Sequence, residues 1–242
     1  MSKETLQDYL SYLTRYLKRK ARGFNGFILG LSGGLDSAVV ALLAQKAIKD
    51  DLLCVIIDID STKRDMDDAL ELCRVHRLNY YHIDLTAEYN AIVKKLDQSK
   101  KLTDLSKINT KVRLRMLTLY ALGQTLGKLV LGTDNKAELY TGYFTKHGDG
   151  AADLFVLSSL TKAEVFAAAR LLGVTPNIIN KVPSAGLYVG QTDEAEMGIT
   201  YKHLDAFIRG EEVPANVRAR ALELHKISEH KRRPIPRPRE KR

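Results

Sequence analysis

Cysteine is nearly absent from this chain, with only Cys54 and Cys73 among 242 residues. Both lie in apolar periodic segments, which predicts buried core thiols and no disulfide framework. No pair of residues has zinc-ligand spacing, and a reducing cytoplasm is the expected compartment. No apolar run approaches the roughly 20 residues that span a bilayer. The start, Met1-Ser2-Lys3-Glu4, opens an amphipathic helix and lacks the apolar block of a signal peptide. Membrane partners are therefore not expected. The common phosphate-loop pattern, G-x-x-x-x-G-K followed by Ser or Thr, occurs nowhere, and no internal repeat is evident.

The composition, 45% hydrophobic and 28% charged, is that of an ordinary globular domain with a full core. The net charge of +9 is unevenly held. Lys231 to Arg242 carries seven basic residues and one acidic residue, a net of +6, which leaves +3 for the rest. This predicts one domain over 1–230 and a basic, proline-rich tail over 231–242 with little regular structure. The tail's charge suits a solvated end or a contact to RNA or phosphates.

Periodicity lays out alternating elements. Leu6, Tyr9, Leu10, Leu13, Tyr16 and Leu17 form one stripe of a helix over 4–20. Strands are expected at 26–29, 52–57, 80–83 and 127–132, with a short apolar run at 154–157. Helices are expected over 35–49, 65–76 and 111–124, after a cap at Asp84 or Thr86, from about Thr161, and near 200–209 and 214–229. Residues 97–107 and 183–198 read as loops. Strands alternating with helices predict an α/β fold, a Rossmann-like parallel sheet flanked by helices. Ligands in such sheets bind outside the carboxyl ends of the strands.

The stretch with the clearest chemistry is Gly30-Leu31-Ser32-Gly33-Gly34-Leu35-Asp36-Ser37, between a strand and an apolar helix. A helix start leaves backbone N–H groups unpaired, and two glycines let them approach an anion closely. Ser32 and Ser37 add hydroxyls. A carboxylate, Asp36, is repelled from a phosphate unless a cation lies between them. The combination predicts a magnesium-bound polyphosphate.

This SGGxDS loop resembles that of the ATP pyrophosphatases, which cleave ATP between its α and β phosphates. After the fourth strand come Gly132-Thr133-Asp134-Asn135-Lys136-Ala137-Glu138 and the string from Thr141 to Asp153. These GTDxxE and GxFTKxGDGxAD patterns resemble the ammonia-dependent NAD synthetase family within that group, with weaker likeness from about Lys20 to Lys231. The resemblance implies an adenine nucleotide alpha hydrolase-like fold and a carbon–nitrogen ligase that amidates deamido-NAD with ammonia. ATP and Mg²⁺ would be required, and AMP and pyrophosphate released.

Carried over by residue, Gly30 to Ser37, Thr133, Lys162 and Ser184 would contact ATP. Asp36 and Glu138 would ligate magnesium, and Arg113, Lys146, Asp153, His230 and Lys231 would meet deamido-NAD. Asp149, in an Asp-Gly turn, is either a turn former or the group that takes a proton from ammonium. Arg113 or Arg115 could equally pair with acidic neighbours. Tyr143 and Phe144 are core or ring-pocket residues, and His147 is a bystander beside glycines. The segments at 58–64 and 185–194 depart from the family pattern, and Pro183-Ser184 keeps the family's hydroxyl. A homodimer with a contact along 109–126 is implied, with no nucleic-acid partner. The rival readings are another pyrophosphatase, of the GMP-synthetase or tRNA-modifying type, and a non-catalytic nucleotide sensor.

Overall fold

The computed structural model describes residues 3–184 and 192–238. Five parallel strands form one sheet: β1 (Phe27–Gly30), β2 (Leu52–Asp58), β3 (Tyr80–Asp84), β4 (Leu129–Gly132) and β5 (Leu154–Phe155). Their spatial order is β3-β2-β1-β4-β5. The order reverses between β1 and β4, which are direct neighbours. The loops leaving these two strands therefore face each other at the switch point, where open parallel sheets bind ligands.

The helices in chain order are α1 (Lys3–Lys20), α2 (Leu35–Ile48), α3 (Lys63–His76), α4 (Thr86–Ser99), α5 (Asp104–Leu126), α6 (Lys136–Thr141), α7 (Lys162–Leu172), α8 (Pro176–Ile179), α9 (Asp193–Met197), α10 (Tyr201–Ile208), α11 (Ala215–Ile227) and α12 (Glu229–Arg232). The apolar run of β2 is explained by coverage on both faces. Leu52, Cys54 and Ile56 join the core under α1, α2 and α7, while Leu53, Val55 and Ile57 join the core under α4 and α5. The stripe of α1 buries Leu6, Leu10, Leu13 and Leu17 in the first of these. A third cluster, with Ala137, Leu204 and Ala221, packs α6 against α10 and α11.

Several boundaries differ from expectation. The expected loop over 97–107 is largely helical, because α4 continues to Ser99 and α5 begins at Asp104. Solvated polar faces hide the helical rhythm there, while Thr103 caps α5 by accepting the Ser106 N–H. Likewise α3 starts two residues early, because Thr62 accepts the Asp65 N–H. The cap before α4 is Leu85, although Asp84 Oδ1 does accept the Thr86 N–H at 2.9 Å. The 154–157 run gives a strand of only two residues, paired at Leu131–Leu154 and Gly132–Phe155. A short helix, α9, lies within the expected 183–198 loop, whose part from 185 to 191 is outside the described residues.

Candidate active site

The β1–α2 loop is held by its own side chains. Ser32 and Ser37 share a hydroxyl–hydroxyl hydrogen bond of 3.0 Å, and Ser37 Oγ donates to the Gly34 carbonyl at 3.1 Å. The Gly34 N–H donates to Ser32 Oγ at 3.2 Å. Gly33 takes φ +73°, and a Cβ there would lie 2.1 Å from the Asp65 carbonyl oxygen. Only glycine fits that approach. Leu31 and Leu35 are buried in the core, so they anchor the loop by their side chains.

The β4–α6 connection supplies the opposing wall. Asn135 caps α6 by accepting the Ala137 and Glu138 N–H groups, and Glu138 Oε2 accepts the Asn135 N–H at 3.0 Å. This reciprocal box turns Glu138 inward. Asn135 Nδ2 also donates to Asp36 Oδ1 at 2.9 Å, joining the two loops.

Between the carboxylates stands Lys162, the first residue of α7. Its Nζ donates to Asp36 Oδ2 at 2.6 Å and to Glu138 Oε1 at 3.3 Å. The Tyr201 ring lies 4.8 Å below the ammonium, and the Tyr201 hydroxyl donates toward Glu138 Oε1 and Asp193 Oδ2. Asp205 of α10 accepts the backbone N–H groups of Lys162 and Ala163, which fixes the start of α7. Burial opposes the Lys162 charge, but Asp36 and Glu138 outweigh it and hold the ammonium above its ordinary range. Burial pushes the Glu138 carboxyl up to about 7 against the pull of Lys162. Asp134 is also raised well above the usual carboxylate range, by burial and by the charges of Asp149, Glu138 and Asp36, and its Oδ2 has no hydrogen-bond partner.

Asp36, Asp134, Glu138, Lys162 and Asp193 line a cavity of about 420 Å³ together with Thr133, Asp149, Ser184 and Arg115. Asp149 lines the cavity, and its Oδ1 accepts the Thr145 and Gly150 N–H groups at 2.7 and 3.0 Å, as a turn former does. Burial raises its carboxyl, opposed by those two amides and by Lys231.

Arg113, Lys146, His230 and Lys231 are linked to one another, and none is among the cavity residues. The exposed Arg113 donates from Nε to the Lys146 carbonyl, and Lys146 Nζ donates to the His230 carbonyl. Lys231 Nζ reaches the carbonyls of Gly142 and Phe144 at 2.8 and 2.6 Å and sits over the Phe144 ring. Asp153 is apart from them: its Oδ2 accepts the Val130 N–H at the start of the β4–β5 pairing. His147, at φ +61°, is exposed on its turn and is not among the cavity residues. Phe144 is buried, while Tyr143 lines the cavity and donates to Glu196.

Sequence reasoning did not single out Asn135, Asp134, Lys181, Asp193 or Tyr201. Asn135 had a signal, since Asn followed by Glu three residues on is a capping box. Asp134 lies within the GTDxxE string, while Lys181, Asp193 and Tyr201 act through contacts between distant segments and have no local signature.

The spot that the Lys162 ammonium shares with Asp36 and Glu138 accepts a cation from two hard oxygen donors on separate loops. Such a pair fits magnesium that takes its remaining ligands from phosphate and water. Among the described residues no group of three acidic, histidine or cysteine side chains forms an all-protein metal cage.

Residues 5–235 match the family model described as NAD synthase. The chain is 44% identical over 236 residues to the NH(3)-dependent NAD(+) synthetase of Mycoplasmopsis pulmonis, covering 96% of this chain and 91% of that one. Its fold superposes on the NMN synthetase of Francisella tularensis with TM-score 0.92 at 41% identity, covering 96% and 98% of the two chains. The NH3-dependent NAD synthetase of Campylobacter jejuni, in complex with nitrate, gives TM-score 0.82 at 28% identity over 99% of this chain and 100% of that one. With the paired loops at the switch point and this likeness over nearly its whole length, the chain belongs to the NAD synthase family and is a ligase of NAD biosynthesis.

Proposed function

We propose that the chain joins free ammonia to deamido-NAD, using ATP and Mg²⁺, and passes through an acyl-adenylate. The observation that carries this reading is the meeting of Asp36, Glu138 and Lys162 beside the glycine loop. A carboxylate is not amidated directly in water because oxide is too poor a leaving group. The nicotinate carboxylate attacks the α-phosphorus of ATP, and the bond to the bridging oxygen breaks with loss of pyrophosphate. Ammonia then attacks the acyl carbon, the bond to AMP breaks, and a proton leaves the nitrogen.

The loop amides from Gly30 to Ser37 and the Lys162 ammonium hold the phosphates, with Thr133 and Ser184 as further ATP contacts. Asp36 and Glu138 would hold magnesium, whose chemistry is to offset charge building on the leaving pyrophosphate. Arg113, Lys146, Asp153, His230 and Lys231 orient deamido-NAD. Asp149 takes the proton from the attacking nitrogen, and its raised carboxyl makes it a better acceptor than an exposed carboxylate. Both cysteines are buried with thiols raised by burial, so neither suits the nucleophile of a glutaminase.

The same reading takes 1–230 as the synthetase domain and 231–242 as an appended tail, begun by the anchored Lys231. It places the enzyme in the cytoplasm, without membrane or nucleic-acid partners, as a homodimer meeting along residues 109–126 of α5. Among the described residues no helix is long and apolar enough to cross a membrane.

The test follows pyrophosphate and NAD from ATP, Mg²⁺ and deamido-NAD, with and without ammonium, for the parent chain and Asp36→Ala. NAD should form only with ammonium, and the variant should lose at least about a hundredfold in kcat. Pyrophosphate release that ignores deamido-NAD would move the substrate assignment elsewhere. The strong likeness to an NMN synthetase favours one second reading, amidation of the shorter deamido-NMN, which carries the same nicotinate carboxylate. Both substrates belong in the assay, and the larger kcat/KM decides between them.

A further inference from the structure

Lys181 is a half-buried lysine two residues beyond α8, and the reaction as described does not use it. Its Nζ lies 3.0 Å from the Gly33 carbonyl oxygen, 2.8 Å from Asp65 Oδ1 and 2.5 Å from Asp68 Oδ2. Both carboxylates belong to α3. Asp65 is itself held, since its Oδ2 accepts the Thr62 hydroxyl and its backbone N–H donates to Thr62 Oγ1. An ammonium has three N–H donors, and here three acceptors surround it. It lines the cavity while donating to Gly33 and Asp65 and lying in an ion pair with Asp68.

The contact to Gly33 has a consequence for the phosphate loop. A peptide unit is planar, so the Gly33 carbonyl and the Gly34 N–H point in opposite directions. Holding that carbonyl toward Lys181 sets the direction of the Gly34 N–H, which leans on Ser32 Oγ. Glycine at φ +73° is free to rotate its peptide, so some outside group must choose the orientation. The Asp65 carbonyl oxygen packs against Gly33 on the side where a Cβ would stand.

We propose that Lys181 is a positioning residue for ATP, which aims the Gly33–Gly34 peptide of the phosphate loop through its ammonium. This deepens the reading of the cavity as an ATP site and rests on it. A simple staple between α8 and α3 would alter stability without favouring either substrate. A positioning role predicts a selective loss toward ATP.

The experiment compares the full-length parent chain with Lys181→Met by calorimetric titration with Mg·ATP, and then by steady-state KM for each substrate. In Lys181→Met the ATP affinity should fall on the order of tenfold, while KM for deamido-NAD stays within about twofold. Alkylating Lys181→Cys with bromoethylamine restores an ammonium at nearly the same reach and should recover ATP affinity. Cys54 and Cys73 will not compete, because both are buried and their thiols are raised. If Lys181→Met does not fold, Lys181→Gln, which keeps two donors, should show an intermediate loss. Unchanged ATP affinity in a folded variant overturns the role of Lys181 and leaves the ATP site standing. A parent chain that binds no ATP overturns both.

Discussion

Lys162 shows how one buried cation governs a site at the scale of a residue. Its side chain is 4% exposed and faces Asp36 and Glu138, which are 18% and 13% exposed, so little water screens the group. Removing one member of such a cluster leaves uncompensated charge, at a cost of about 3 kcal/mol. The size of the loss depends on pH. Glu138 titrates near 7 in the folded chain against 4.5 ordinarily, so the folded state holds the extra proton and stability declines as pH rises between these values. Without the lysine the carboxyl titrates higher still, and the decline continues above pH 7. Lys162→Met should therefore lose more stability at pH 8 than at pH 6 in urea unfolding of the metal-free protein. Equal losses at the two pH values would contradict the ion-pair account.

At the scale of elements, two caps and a turn place the chemistry. The Asn135–Glu138 box starts α6, the Thr161–Glu164 box starts α7, and the turn through Gly33 starts α2. Each sets a helix start at the carboxyl edge of the sheet, and so fixes where Glu138, Lys162 and Asp36 stand. The turn admits no side chain. Gly33→Ala would place a methyl against the Asp65 carbonyl and force a left-handed residue, costing about 1–2 kcal/mol in conformation before α3 shifts. We expect a lower Tm by calorimetry and a rise in KM for ATP of at least about tenfold in the same variant. The helix ends that sequence reading misjudged, around 97–107, carry no such caps on an apolar stripe. Thr103 signals the start of α5, but the first turns of that helix face solvent and their pattern is polar.

At the scale of the whole molecule, the exposed face of α5 stands out. Leu105 and Leu117 are 67% and 65% exposed, and Tyr120 is 37% exposed on the same helix. Large apolar side chains exposed along one helix suit a contact with a second copy. Leu117→Arg should leave the monomer's fold and Tm intact, since the residue touches little of its own chain. Light scattering should then report half the parent mass. A parent chain already at monomer mass would remove the dimer from the proposed function.

The sequence by itself determined the local parts of this protein: the glycine loop, the capping pattern at Asn135 and Glu138, the alternation of strands and helices, and the apolar run of β2. These are written in spacing over a few residues, where hydrogen-bond rings and side-chain periodicity act. Only the tertiary structure decided how the parts meet. Asp36 and Lys162 are 126 positions apart, and Asp36 and Asn135 are 99 apart. They touch because β4 pairs beside β1, which makes the order of the sheet reverse there. Lys181, Asp193 and Tyr201 entered the site the same way, from segments whose local pattern is that of ordinary helix ends. Such contacts depend on which surfaces the folded core brings together, and no short stretch of residues carries that information.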